Sequence, residues 1–215
     1  MANPTRQSPQ PDPERSQLDS YCLAGRLSAY FAPVRVRQSR SQGVSSSVPL
    51  FDDIVMPGGP LRLGKFDCDA RRALFAAVRL ARQTSWDNLR SPHIFMGLLD
   101  DPDASIQAWG KRLKADLPKL LEQFIELFQG EASETVRLQL HREFLSDTVL
   151  RMLRDAWNRC RERGNTRITT LDLLVSLFAN NSSVVADCFE RVGLTAATLV
   201  EVAREIEASN PSDPA

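Results

Sequence analysis

One stretch of the sequence decides the fold, and it reads Ile168-Thr169-Thr170-Leu171-Asp172-Leu173-Leu174-Val175-Ser176-Leu177-Phe178. Seventy-nine positions upstream the chain matches it without a gap, as Leu89-Arg90-Ser91-Pro92-His93-Ile94-Phe95-Met96-Gly97-Leu98-Leu99. Each stretch has a hydroxyl residue, Thr170 or Ser91, ahead of an apolar run, and such residues can cap the first N–H groups of a helix. Apolar residues then recur at i, i+1, i+4 and i+5, which is typical of a buried helix face. The chain is therefore predicted to contain this buried helix twice.

The same register continues on both sides of the two stretches, so that residues 66–128 and 145–207 match as copies of one unit. The matched apolar pairs are Phe66 and Leu145, Ala73 and Met152, Leu74 and Leu153, Ala77 and Ala156, Val78 and Trp157, Ala81 and Cys160, Ile106 and Val185, Trp109 and Cys188, Leu113 and Val192, Leu120 and Leu199, and Leu127 and Ile206. A repeated helical unit usually buries its apolar face against its neighbour. The groove between the copies is then the expected place for a ligand.

Each copy is predicted to form four helices, which makes the fold all-α, with about eight helices in two pseudo-symmetric halves. The long first helices are predicted over Asp69–Gln83 and Asp147–Arg163, and the apolar second helices after Ser91 and Thr170. The remaining helices are predicted to begin after polar residues that can cap them: Asp103 and Asp116 in the first copy, and Ser182 or Ser183, and Thr195, in the second.

The ends of the chain are predicted to lie outside this domain. Residues 1–58 read as a mostly disordered leader, since residues 1–16 alone hold four of the thirteen prolines. Apolar residues of 17–31 can share one face of a short helix. The sequence Pro57-Gly58-Gly59-Pro60 marks the hinge into a domain over residues 59–208, which a tail over residues 209–215 follows.

The sequence leaves two questions about the leader open: what residues 35–48 do, and where the protein starts. The arginine- and serine-rich residues 35–48 fit an organelle transit peptide or a plain tail, and the acidic residues Asp12, Glu14 and Asp19 favour the tail. The sequence also does not decide between Met1 and Met56 as the start of the protein.

Short segments ahead of each first helix alternate apolar and polar residues, as a half-buried strand does. They are Leu61-Arg62-Leu63 and residues 136–140. A small two-stranded pairing and a pair of loops are both compatible with this pattern.

The composition excludes several classes of partner. Lys and Arg number 27, as do Asp and Glu, so no net charge favours nucleic acid or a membrane surface. No apolar run approaches the ~20 residues of a membrane span. The four cysteines are widely spaced and indicate reduced thiols in a cytoplasmic protein, with Cys160 and Cys188 in the core.

The second long helix is rich in arginine, which fits a nucleic-acid surface or a solvated face. The acidic residues that interleave with the basic ones favour the solvated face. Its basic residues are Arg151, Arg154, Arg159, Arg161 and Arg163, with Arg167 following.

No catalytic, nucleotide, cofactor or metal site is predicted. A phosphate loop needs Gly-Lys followed by Ser or Thr, whereas Gly64-Lys65 is followed by Phe66. The two histidines, His93 and His141, have no spacing typical of zinc ligands, which number three or four. A cysteine-dependent hydrolase, with a cysteine activated by a histidine, remains an alternative that no spacing supports.

The ordered helical pattern resembles the double-repeat N-terminal domain of the Clp (Hsp100) unfoldases over residues 66–207. The second copy carries the resemblance best, through Leu145-Ser146, Val149-Leu150, Gly164-Asn165, Ile168-Thr169-Thr170, Leu173-Leu174, Leu177-Phe178 and Val192-Gly193-Leu194. The resemblance implies a free-standing, non-catalytic domain without the ATPase modules, acting in chaperone or proteolysis regulation. Its expected partner is a Clp-type unfoldase or protease, an adaptor or a client protein. A recruitment or sensor module in another system is the alternative.

The resemblance also indicates candidate partner-binding residues at the starts of the two second helices. They are Ser91, Pro92 and His93, and Thr170, Leu171 and Asp172. In relatives such as ClpC, an acidic residue just before the His position helps to bind phosphorylated arginine. Pro92 and Leu171 stand there in this chain, so an apolar surface that binds hydrophobic segments is expected rather than one that binds phosphoarginine.

Overall fold

A computed structural model of the chain describes residues 53–130, 138–180 and 183–209. These residues form eight α-helices: α1 Cys68–Gln83, α2 Ser91–Asp100, α3 Ala104–Arg112, α4 Leu117–Leu127, α5 Asp147–Glu162, α6 Thr170–Ala179, α7 Val184–Arg191 and α8 Ala196–Ser209. Within the described residues there are isolated β-bridges but no longer strands, and none of the helices is long and apolar enough to cross a membrane.

The helices confirm the repeat of 79 residues. Helices α1 and α5 each have 16 residues and α2 and α6 each have 10, with both ends of each pair displaced by the same 79 positions. Side chains cap α1 and α5 at equivalent residues, where Asp67 accepts from the Ala70 N–H and Ser146 from the Val149 N–H. Equivalent polar residues therefore begin equivalent helices in the two copies.

The turns after four helices repeat as well. Helices α1, α3, α5 and α7 are each followed by a residue in the left-handed conformation: Ser85 (φ 62°), Lys114 (φ 52°), Gly164 (φ 75°) and Gly193 (φ 88°). The next residue in each case donates its N–H to a carbonyl in the last turn, as Asn165 does to Cys160 at 3.0 Å. This is the Schellman arrangement, which closes a helix at its carboxyl end.

Backbone hydrogen bonds tie each copy to the other. Phe66 forms a parallel bridge with Ile168, and Leu145 forms the equivalent parallel bridge with Leu89. The Asp67 N–H donates to the Ile168 carbonyl and the Ser146 N–H to the Leu89 carbonyl, both at 3.0 Å. Exchanging the two copies exchanges these bonds, so the halves are related by a pseudo-twofold axis.

Helices α2 and α6 occupy the centre, where residues 91–99 and 170–178 are buried without exception. Around them, five aromatic rings from both copies contact one another at centroid distances of 4.9–6.3 Å. They are Phe95, Trp109, Phe124, Phe178 and Phe189. The two copies therefore share one core rather than two separate ones.

The segments ahead of the first helices meet, but only briefly. Pro60 forms an antiparallel bridge with His141, and the Leu61 N–H donates to the Leu140 carbonyl at 3.0 Å. The pairing extends no further among the described residues, which leave out residues 136 and 137. Over the described residues, the two segments are loops joined by a single bridge.

The packed domain includes residues ahead of Gly59. Ile54 has no exposed surface, and Asp53 receives two hydrogen bonds from the Arg154 guanidinium, at 3.1 and 2.7 Å. The rest of the predicted leader, with its helix over residues 17–31, and residues 210–215 of the predicted tail lie outside the described residues.

The central position of α6 predicts the effect of a cavity there. Changing Leu177, which has no exposed surface, to Ala should lower the free energy of unfolding by about 2–5 kcal/mol, because a void replaces buried methyl groups. Urea unfolding measures this loss. The control is Phe75→Ala, at a side chain that is 55% exposed, where a change within about 0.5 kcal/mol is expected. Equal losses in the two variants would contradict the assigned core.

The residues just ahead of the hinge give a second test of stability. Ile54→Ala should lower the free energy of unfolding by about 2–5 kcal/mol, since this side chain is fully buried. Met56→Ala, two residues away and 42% exposed, should leave it within about 0.5 kcal/mol. Unchanged thermal melting of the Ile54 variant would show that the domain begins after this residue.

Candidate functional site

The starts of α2 and α6 are stabilised by equivalent side chains, His93 and Asp172, each three residues after the cap residue of its helix. In α6 the Thr169 hydroxyl accepts from the Asp172 N–H at 3.2 Å, and the Asp172 carboxylate accepts from the Thr169 N–H at 3.0 Å. In α2 the cap position is Arg90, whose side chain has no acceptor, and His93 Nδ1 accepts from the Arg90 N–H at 3.1 Å. The caps are therefore Arg90 and Thr169, each one residue ahead of the predicted Ser91 and Thr170.

His93 is held as a neutral ring. Its Nδ1 atom accepts a hydrogen bond, its side chain is 1% exposed, and its ring meets the edge of Trp86 at a centroid distance of 5.7 Å. Burial, and to a smaller extent the nearby Arg90 charge, lower the pKa of His93 to about 3. The imidazole therefore does in α2 what the Asp172 carboxylate does in α6, which is to satisfy a backbone N–H.

The six predicted partner-binding residues are all buried, and they do not form one open surface. Thr170 donates its hydroxyl hydrogen to the Asp103 carboxylate at 2.7 Å, and Leu171 is 6% exposed. Asp172 is fully buried. In the first copy, by contrast, Ser91, Pro92 and His93 line a pocket.

An ion cluster fills the space around Asp172. The guanidinium groups of Arg159 and Arg163 each lie 3.3 Å from an Asp172 carboxylate oxygen, and both also pair with Glu207. Two cations and two anions balance, which is the condition for burying charge at tolerable cost. The Asp172 carboxylate is thus already engaged by arginines of its own chain.

The equivalent positions in the first copy are uncharged. In the 79-residue register, Leu80, Thr84, His93 and Phe128 stand where the second copy has Arg159, Arg163, Asp172 and Glu207. Trp86 completes this side of the molecule by donating its indole N–H to the Phe128 carbonyl at 2.7 Å. The Arg90 guanidinium lies over the Trp86 ring, 4.5 Å from its centroid.

A pocket of about 140 Å³ opens beside these residues, at the junction of the two copies. Its lining residues come from the start of α2 and the ends of its neighbours in the first copy, and from the starts of α5 and α7 in the second: Trp86, Arg90, Ser91, Pro92, His93, Phe128, Ser146, Thr148 and Val184. Val184 is 45% exposed, which is unusual for a large apolar side chain in this fold. The pocket combines apolar walls with three hydroxyl groups and one cation.

The pocket brings together three of the predicted residues and several that sequence reasoning missed. Ser146, Thr148 and Val184 were missed because only the pseudo-twofold pairing places them beside Ser91. Trp86 and Phe128 did carry a signal, since the second copy has the polar residues Asn165 and Glu207 in their places. An aromatic residue at one copy's polar position indicates a specialised surface in that copy.

Other chemistry finds little support among the described residues. Burial raises the pKa of Cys160 to about 11 and that of Cys188 to about 12, so both thiols stay protonated at neutral pH, and both were predicted to be core residues. No group of three or more His, Cys, Asp or Glu side chains in the described residues is arranged to hold a metal ion. Arg154, Arg159 and Arg163 of the arginine-rich helix form ion pairs within the chain.

The buried neutral His93 predicts a pH dependence of stability. Its pKa is lowered on folding, so below pH 6.5 the unfolded chain binds a proton that the folded chain does not, and stability falls as the pH falls toward 3. Between pH 7 and pH 5 this accounts for about 2 kcal/mol of the free energy of unfolding. His93→Asn keeps a hydrogen-bond acceptor but cannot titrate, so urea unfolding of this variant should lack this loss of stability between pH 7 and pH 5. Between pH 7 and 8 the free energies of unfolding of the variant and the unchanged protein should change in parallel. If they stay parallel down to pH 5, His93 is not the buried neutral group responsible.

Comparisons with known sequences and structures point to the same protein family. The family model described as the Clp repeat (R) N-terminal domain matches residues 65–191. No curated protein sequence matches the chain.

Three solved structures share the fold at low sequence identity. The Hsp104 N-terminal domain from Candida albicans superposes with a TM-score of 0.55 at 17% identity, covering 67% of this chain and 93% of that one. The N-terminal domain of the chaperone ClpD from Arabidopsis thaliana gives 0.53 at 19% identity, covering 66% and 97%. The ClpV N-domain, in a complex with a VipB peptide, gives 0.54 at 16% identity, covering 80% and 100%.

Proposed function

Because the chain belongs to the Clp repeat N-terminal domain family, we propose that it is a non-catalytic protein-binding module that receives an apolar segment of a partner protein in the pocket beside α2. The observation that carries the proposal is the exposed Val184 at a pocket with apolar walls between the two copies. The ClpV N-domain has been seen with a VipB peptide, so peptide binding occurs on this fold. The partner is a Clp-type ATPase, an adaptor or a client.

The chemistry of the walls favours an apolar ligand over a cationic one. Pro92 lines the pocket at the position where relatives carry an acidic residue, and no carboxylate is among the lining residues. In the second copy, Asp172 is buried and already holds two guanidinium groups. A phosphorylated arginine therefore meets no open carboxylate at the start of α2 or α6, and we expect no binding of it.

A cytoplasmic setting fits the same proposal. The described cysteines Cys68, Cys160 and Cys188 are free thiols, as expected of a reducing compartment. The sequence has no phosphate loop, and burial raises the pKa of Cys160 and of Cys188, so we propose that the domain acts by binding.

A charge placed at the pocket mouth tests the proposal. The probe is a fluorescent peptide of about ten residues with a central Leu-Phe pair, acetylated and amidated so that it carries no terminal charge. Val184→Glu should raise its Kd at least about tenfold, because a carboxylate would have to be desolvated by the bound apolar side chain. Fluorescence anisotropy measures the Kd.

The matched control is Met56→Glu, at an apolar side chain that is 42% exposed but does not line the pocket. It should bind the probe as the unchanged protein does. Equal loss in both variants would refute the pocket as the site, and no binding of the probe to the unchanged protein would refute recognition of an internal apolar segment. Tight binding of phosphoarginine that Asp172→Asn abolishes would restore the acidic-site interpretation.

A further inference from the structure

Arg90 is the charged group of the pocket, and it has no carboxylate partner among the described residues. Its guanidinium lies over Trp86, and its Nε–H donates to the Asn88 side-chain oxygen at 3.0 Å. Burial lowers the pKa of Arg90; Asp87 acts in the opposite direction but forms no ion pair with it. A half-buried cation that forms no ion pair is unfavourable, and a carboxylate from a ligand would pair with it.

The helices around the pocket add to this positive potential. Ser91 and Val184 are the first residues of α2 and α7, and Ser146 caps α5, so three helix N-termini meet at the pocket. The amino end of a helix carries partial positive charge. The Arg90 and Ser183 side chains accept no hydrogen bond from the first turns of α2 and α7. In α2, Pro92 has no N–H and the His93 N–H donates to the Arg90 carbonyl, so the donors for a ligand anion are the Ser91 N–H and the N–H groups in the first turn of α7.

The pseudo-symmetric position shows how unusual this arrangement is. In the 79-residue register, the lining residues Ser146, Thr148, His93 and Phe128 correspond to Asp67, Asp69, Asp172 and Glu207. Arg90 corresponds to Thr169. Four carboxylates and no arginine thus stand where the pocket has one arginine and no carboxylate. In the second copy, Asp172 and Glu207 are paired with Arg159 and Arg163, whereas the first copy has an arginine that forms no ion pair. Of the two positions, the pocket in the first copy is therefore the one that suits an anionic ligand.

The size of the pocket limits where the anion and the apolar group of the ligand are placed. Its volume of about 140 Å³ is close to that of a cavity of about 150 Å³ that holds one benzene-sized group. One side chain fills such a space. The carboxylate that reaches Arg90 then has to belong to the same residue or to the next one, and a C-terminal residue carries both groups together.

We propose that the pocket binds the carboxyl terminus of a partner protein that ends in a large apolar residue, with Arg90 pairing with the terminal carboxylate. The last side chain fills the space between Trp86, Pro92, Phe128 and Val184. This assignment deepens the proposed function and rests on it, and it makes Arg90 the residue that selects chain ends from internal segments.

The test compares two fluorescent peptides of one sequence ending in Leu, one a free acid and the other an amide. The free acid should bind the full-length protein about tenfold tighter or more, as one charge-assisted hydrogen-bonded pair allows. Raising the ionic strength should weaken binding of the free acid and leave binding of the amide nearly unchanged. Arg90→Met, which keeps the apolar stem of the side chain, should remove the difference in affinity between the acid and the amide. Arg90→Lys should keep part of that difference. Arg79→Met is the control, since Arg79 pairs with Asp100 and does not line the pocket.

Each other outcome overturns the assignment in a distinct way. Equal binding of acid and amide, both lost in Val184→Glu, would refute carboxylate recognition while leaving the proposed function intact. No binding of either peptide would refute both. An amidated peptide with an internal Glu-Leu pair that binds as tightly as the free acid would move recognition to a side-chain carboxylate. Much tighter binding after removal of residues 1–52, or pocket-dependent dimers in sedimentation, would make this chain itself the occupant.

Discussion

The structure depends on the reciprocal backbone pairing across the pseudo-twofold axis. Each copy presents the residues just ahead of its first helix to the segment just ahead of the other copy's second helix, through the bridges of Phe66 with Ile168 and of Leu145 with Leu89. Two hydrogen bonds in each bridge satisfy backbone groups that would otherwise be buried without partners. The pairing brings the start of α5 beside the start of α2, so the pocket exists only because the copies are joined in this way.

On this shared backbone the two copies solve one packing problem differently. Around α6 the space is filled by four charged groups that neutralise one another, and removing any of them would leave the cluster with an unbalanced charge. Around α2 the corresponding residues are neutral and leave a recess with an unpaired cation at its edge. The charged groups of the second copy thus pair with one another, whereas the cation of the first copy can pair with another molecule. Duplication allows this division, because one half stabilises the fold while the other half changes.

Much of the fold could be predicted from the sequence because the determining signals are local. Asp103 and Asp116 cap α3 and α4 as predicted, and the 79-residue register places α6 from α2 without adjustment. Helix α1 begins at Cys68, one residue ahead of the predicted Asp69, because Asp67 supplies the cap. Each of these features depends on residues within one turn of helix, which a single sequence displays.

The site was less predictable because its partners are distant in sequence. Nothing in a linear reading joins Val184 to Trp86, or assigns Glu207 to the arginines of α5. The burial of Ile54 was also missed, because the hydrogen bonds that hold its segment come from Arg154 and from the Arg62 N–H, outside the segment itself. His93 and Asp172 were predicted as candidate partner-binding residues, and only the geometry shows that both accept the N–H of the cap residue.

The exchanged bridges also have a consequence for the order of folding. Phe66 and Ile168 are separated by about a hundred residues of chain, and closing so long a loop is slow compared with forming single helices. During synthesis the first copy leaves the ribosome before its partner exists, with the apolar face of α2 uncovered. We therefore expect the docking of the two halves to be the late step of folding, and the half-made chain to be the species most in need of protection from aggregation.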